Sequence, residues 1–170
     1  MALKDLLISR LRPYWKMEAA NVVFVPLCMI YLSAGQIGWT SIVAAIPMML
    51  MLIIGAAYWR IKVQKLEALA RDVSPTMAII AKVQQPVLIL CIIAVLAAAA
   101  AWLWPGQAVG QADKIVASTG AALAVLEYVN YYHRQLQHFD SKADFKRLLR
   151  GRGFRPSQMA RDLRDFREGR

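Results

Sequence analysis

Two long stretches of this chain carry no charge at all. No acidic or basic residue lies between Glu18 and Arg60, and none between Lys82 and Asp113. A helix through the ~30 Å hydrocarbon layer of a bilayer needs roughly 20 apolar residues. Residues 19–59 number 41, enough for two crossings and a turn. Of the 21 Lys and Arg residues, only Lys114 falls where alternating crossings call for the outside. Basic loops beside spans stay cytoplasmic, so the same asymmetry that predicts the spans also orients them.

The expected architecture is all-α: an integral membrane four-helix bundle with short cytoplasmic amphipathic helices. Spans are predicted at about 20–37, 40–59, 79–102 and 115–132, within a transmembrane domain of residues 19–133. Residues 33–41 concentrate small, polar and glycine residues and make the first outer turn, with Trp39 suited to the interface. Trp102 and Trp104 mark the outer end of the third span, which Pro105-Gly106 closes. Pro26 and Pro47 fall inside spans, which lipid-embedded helices tolerate when neighbours satisfy the freed carbonyls. Ala97 to Ala101 is an unbroken alanine run, so the third span is expected to pack closely against protein. The fourth span crosses only if it carries Glu127 with it, because just 12 uncharged residues separate Lys114 from Glu127. Cys28 and Cys91 lie in apolar runs and read as small core residues.

The charged parts share one face. Residues 1–18 place Leu3, Leu6, Leu7, Leu11 and Trp15 near one side, the pattern of a helix lying in the interface. Apolar h-region aside, no small-residue cleavage site follows, so the first apolar run reads as a retained span. Residues 60–72 continue the second span into the cytoplasm until Ser74-Pro75. The tail, 134–170, has eleven basic and five acidic residues. It reads as two short helices split by Gly151-Arg152-Gly153. The first has Ser141 and Asp144 near its start, then Phe145, Leu148 and Leu149. The second opens at Pro156 and Ser157, with Met159, Leu163 and Phe166 on one stripe. Arg147, Arg150, Arg152 and Arg155 are candidate contacts for anionic lipid or a partner, since juxtamembrane basic clusters attract anionic headgroups. Lipid and topology account for the charge without nucleic acid, and no nucleic-acid module is present.

One constellation carries chemical content. Glu127 sits about 18 Å along the helix from Ile115, deep enough that its carboxylate must turn inward and be paired or protonated. Ala117, Gly120, Ala121 and Ala124 precede it at small-residue spacing. Asn21, Lys82, Gln85, Asn130 and His133 lie at a similar level on the predicted spans, completing a candidate intramembrane polar site. His133 and His138, five apart, do not share a metal site on one helix, and His133 lies ~22 Å along the helix from Ser118, too far to serve it as a base. No zinc-protease, phosphate-loop or C-x-x-C motif occurs, so no catalytic, cofactor or metal residue is assigned. The expected role is a non-catalytic accessory, scaffolding or assembly subunit of the inner (cytoplasmic) membrane, homo-oligomeric or bound to another membrane protein. The rivals are a small oligomeric transporter or channel using Glu127 as a proton or cation site, and a membrane enzyme acting on lipid headgroups.

Overall fold

The structure, a computed structural model, describes residues 2–67, 74–136, 150 and 153–169. Among them it is all-helical: α1 Ala2–Leu32, α2 Trp39–Leu66, α3 Ser74–Leu103, α4 Gln111–Tyr132 and the short α5 Gln158–Arg167. Helix α2 is central. It packs against α1, α3 and α4, and α3 packs against α4. Two tight connections, 33–38 and 104–110, lie at one end of the bundle, here the turn end. The opposite end carries α5 and is the tail end.

Among the described residues three helices are long and apolar enough to cross a membrane: Leu7–Leu32 within α1, Trp39–Leu66 and Ser74–Leu103. At 1.5 Å per residue the 28 residues of α2 run about 42 Å and the 30 of α3 about 45 Å, beyond the ~30 Å layer. Helix α4 is not among the three; its 22 residues include Asp113, Lys114, Glu127 and Asn130. At the turn end α2 and α3 end within a residue of the predicted limits, whereas α1 stops at Leu32, five residues short of the expected 37; at the tail end all three overrun the prediction. The N-terminal segment expected to form its own interfacial helix is continuous with the first span. The contacts give the reason: Tyr14 packs on Trp59 with ring centroids 5.8 Å apart, the Arg60 guanidinium lies 6.0 Å from the Trp15 ring, and Arg12 pairs with Glu67. The extension of α2 gives α1 a wall to follow.

Small residues decide how closely the centre packs. Ala94 and Ala98 of α3 are buried with Ala117 and Ala121 of α4 and Ala44 of α2. The alanine run therefore meets protein through Ala97, Ala98 and Ala101, as its composition predicts. Gly120 continues the seam: a Cβ there would stand 3.3 Å from both the Ala44 Cβ and the Met29 methyl. Nearer the tail end the core changes to large side chains, Met48, Met51, Tyr58, Met77, Ile80, Tyr131 and Tyr132 among them. Trp39, Trp102 and Trp104 are all exposed at the turn end. There the Trp102 indole donates to the Ser118 hydroxyl at 2.9 Å, and the Lys114 ammonium stands 5.3 Å from the Trp102 ring.

The tail folds back onto this core. Ser157 caps α5, its hydroxyl accepting from the Ala160 amide at 3.0 Å and donating to the Tyr131 carbonyl. A short bridge precedes it, with the Gln135 amide donating to the Arg155 carbonyl at 3.0 Å and the Ser157 amide to the His133 carbonyl at 3.1 Å. The stripe read from the sequence is the seated face: Met159 and Leu163 are buried and Phe166 packs beside them. On one side Asp162 accepts from the Tyr58 hydroxyl and the Lys62 ammonium, both at 2.6 Å. Toward α3, Arg167 donates to the Gln84 side-chain carbonyl at 2.7 Å. The first tail helix expected from Ser141, Asp144, Phe145, Leu148 and Leu149 lies outside the described residues.

Asp162→Ala removes the acceptor that ties α5 to α2 and leaves Tyr58 without its partner. Releasing two such bonds should raise the opened population about tenfold. Trypsin cleavage after Arg164, followed by mass spectrometry on the folded chain, is expected to quicken by that factor while cleavage elsewhere keeps its rate.

Candidate functional site

At the turn end the dominant polar feature is a carboxylate that sequence reasoning noted only as the edge of an uncharged stretch. Asp113, in the first turn of α4, is fully buried. Its side chain accepts from the Gly38 amide at 2.8 Å, the Val109 amide at 3.1 Å, the Thr40 hydroxyl at 3.1 Å and the Ser41 hydroxyl. The Ser41 hydroxyl also lies 3.0 Å from the Asp113 main-chain carbonyl. Gly38 is the N-cap of α2 and cannot offer a side-chain cap of its own. Asp113 supplies that acceptor from another helix, where its charge also opposes the positive end of the α2 dipole. Only glycine fits at 38, because a Cβ would collide with the Asp113 carboxylate. Burial alone would raise this carboxyl, but the hydrogen bonds from Ser41, Gly38, Val109 and Thr40 outweigh it and hold the group below the usual aspartate range.

The tail-end polar site is assembled from α1, α2 and α4. Glu18 is buried, and its carboxylate accepts from the Tyr131 hydroxyl at 2.6 Å. The Trp59 indole also bonds that hydroxyl. Gly55 of α2 makes room for the tyrosine, since a Cβ there would strike the Tyr131 ring and hydroxyl. Glu127 stands one turn back along α4, half-buried, with the Asn130 amide 3.4 Å from its carboxylate. Asn130 faces both ways: its side-chain carbonyl accepts from the Leu136 amide at 2.9 Å and so fixes the exit of α4.

Of the six residues expected at this level, the structure joins Glu127 and Asn130 directly. Asn21 is half-buried on α1, one turn beyond Glu18. Lys82 and Gln85 are exposed on α3, while Gln84 between them takes the contacts with Tyr128 and Arg167. His133 is exposed at the C-cap of α4, its ring 5.4 Å from that of Tyr128. Arg150 is exposed and Arg155 half-buried, whereas Arg147, Arg152 and His138 lie outside the described residues. Ser118 donates to the Lys114 carbonyl at 2.8 Å, the ordinary back-bond of a helical serine. Among the described residues no group of three or more His, Cys, Asp or Glu side chains could hold a metal ion.

Sequence reasoning did not single out Glu18 or Asp113 as members of a site. The signal for Asp113 was the run Gly38-Trp39-Thr40-Ser41: a glycine N-cap followed by hydroxyls lacks an acceptor, and Asp113 is the sole carboxylate predicted on that face. Comparison with protein-family models, with curated proteins and with solved structures finds no match.

Asp113→Ala strands the Gly38 amide and the Thr40 hydroxyl in a buried place, at a cost of about 2–4 kcal/mol. A thermal melt in detergent should show it, and Gly38→Ala should behave similarly. Because the folded carboxyl titrates below its unfolded value, its contribution is complete above the unfolded pKa of ~3.9 and fades as pH falls through the folded one. Asp113→Asn is therefore expected to flatten the stability loss below about pH 4 that the parent chain shows.

Proposed function

We propose that this chain is an integral protein of the inner (cytoplasmic) membrane, crossing four times with both ends inside, and that it is a non-catalytic accessory or scaffolding subunit that seats a partner helix along α1. The observation that carries the role is the unequal burial of α1. That helix packs chiefly on α2 and turns Val23, Phe24, Leu27, Ile30 and Tyr31 outward, Phe24 at 62% and Tyr31 at 84% exposure. Lipid covers such a face adequately, yet a second helix that fits around the two rings gains more dispersion contact than mobile acyl chains do. The crossing itself is supported by the length and composition of α1, α2 and α3, and by tryptophans at the turn end opposite the basic tail end. In this reading α4 crosses because protein surrounds its polar groups: Asp113 is sealed by α2, and Glu127 lies among Asn130, Tyr131 and α1.

Photo-cross-linking residues placed at Phe24 and Leu27 in native membranes should yield one discrete adduct, with this chain or another membrane protein. Phe24→Ala with Leu27→Ala should weaken the association about tenfold. A chain that gives no adduct at either position and stays monomeric in mild detergent ends the scaffold reading.

A second reading, a small oligomeric transporter or channel, is favoured by one observation. Carboxylates from two different helices, Glu18 and Glu127, gather at Tyr131, an arrangement suited to holding a proton. Proton or cation flux in liposomes that does not change with Glu127→Gln would remove it.

A further inference from the structure

We propose that the groove between α3 and α4 holds one acyl chain of an anionic glycerophospholipid, with the phosphate at the tail-end mouth beside Arg167 and His133. The inference rests on the membrane reading above and goes beyond it by naming a ligand class and its seat. The groove has a volume of about 330 Å³ and is walled by Cys91, Val95 and Leu96 of α3 and by Val125, Tyr128 and His133 of α4. Leu96 and Val95 are exposed on its open side. The α3 wall runs from Leu88 to Leu96, about 12 Å, most of one leaflet of a ~30 Å layer, and Gln84 lies one further turn toward the tail end. The lining is apolar apart from Tyr128 and, at the tail end, His133.

The mouth is where the headgroup is selected. Arg167 of α5 reaches α3 at Gln84, whose amide in turn bonds the Tyr128 hydroxyl of the groove wall. His133 closes the wall on the other side, and the exposed Arg134 follows it. The two carboxylates within α5 itself are turned toward α2. Asp162 is held by Tyr58 and Lys62, and with Asp165 it lines a separate small cavity against Lys62 and Lys65 of α2. Helix α5 thus offers its acids to α2 and a guanidinium to the α3–α4 mouth. A phosphate beside that guanidinium gains a charge-assisted bond at the depth where an inner-leaflet headgroup lies. The larger groove between α1 and α2, about 430 Å³, reaches Ile37 and Ser41 at the turn end, away from the basic tail end, and gives no reason to prefer one headgroup.

The test uses the full chain in liposomes of equal phosphatidylglycerol and phosphatidylcholine, extracted in mild detergent and weighed by native mass spectrometry. The expected result is one retained phosphatidylglycerol per chain, preferred over phosphatidylcholine about fivefold or more. Val95→Trp, at an exposed wall position, should fill the groove and abolish retention. Arg167→Gln should keep a bound lipid and lose the preference, roughly fivefold. Equal retention of the two lipids by the parent chain, or undiminished phosphatidylglycerol on Val95→Trp, overturns the proposal. Carbonate washing of the same membranes separates it from the reading it rests on. A chain released to the supernatant ends the membrane reading, whereas a chain that stays in the pellet without lipid preference ends only this one.

Discussion

A carboxylate withdrawn wholly or largely from water must find its donors inside the protein, and three of them set how these helices stand together. Asp113 draws in the start of α2, Glu18 of α1 takes the Tyr131 hydroxyl of α4, and Asp162 of α5 takes Tyr58 and Lys62 of α2. Each bond joins elements far apart in sequence, and most of the donors are neutral hydroxyls or amides instead of cations. A neutral donor costs less to bury than a second charge, and its short, directional bond fixes one rotation of the helix. Apolar side chains alone permit many rotations of packed helices; a bonded carboxylate permits one.

The two ends use this device differently. At the turn end the lock is compact, with Asp113 replacing the side-chain cap that Gly38 cannot give, and tryptophans ring it. At the tail end the polar groups are spread over several helices, so Glu18, Tyr131, Glu127 and Asn130 form a chain of contacts that ends at the exit of α4. Between the two ends the alanine and glycine seam of α2, α3 and α4 allows the close approach that both sets of bonds require.

How much of this was legible in the sequence follows from what a linear pattern encodes. Charge-free length gives that long apolar helices exist and roughly where they turn, and small-residue runs give which helix is packed tightly. The stripe of Met159, Leu163 and Phe166 gave the seated face of α5 for the same reason: a period of 3.6 names a face. None of these signals says which neighbour lies across that face. Glu18 and Asp113 therefore served only as limits of uncharged stretches, although each turned out to be buried and bonded to a distant helix. Glu127 drew notice because it interrupts an apolar run, and it is half-buried beside Asn130. Its azimuth was not legible, so Lys82 and Gln85, on an exposed side of α3, were grouped with it, and Gln84 was passed over.

The seat of α5 has a consequence for the order of assembly. It is built from Tyr58 and Lys62 of α2, Met77, Ile80 and Gln84 of α3, and Tyr131 and Tyr132 of α4. No two of those helices complete it, and all three leave the ribosome before the segment that fills it. Until they have converged, Met159 and Leu163 remain greasy, uncovered handles on a short basic helix. Helix α5 is thus a seal that can close only once α2, α3 and α4 have met, and its closure hides the apolar surface that marks a bundle still open.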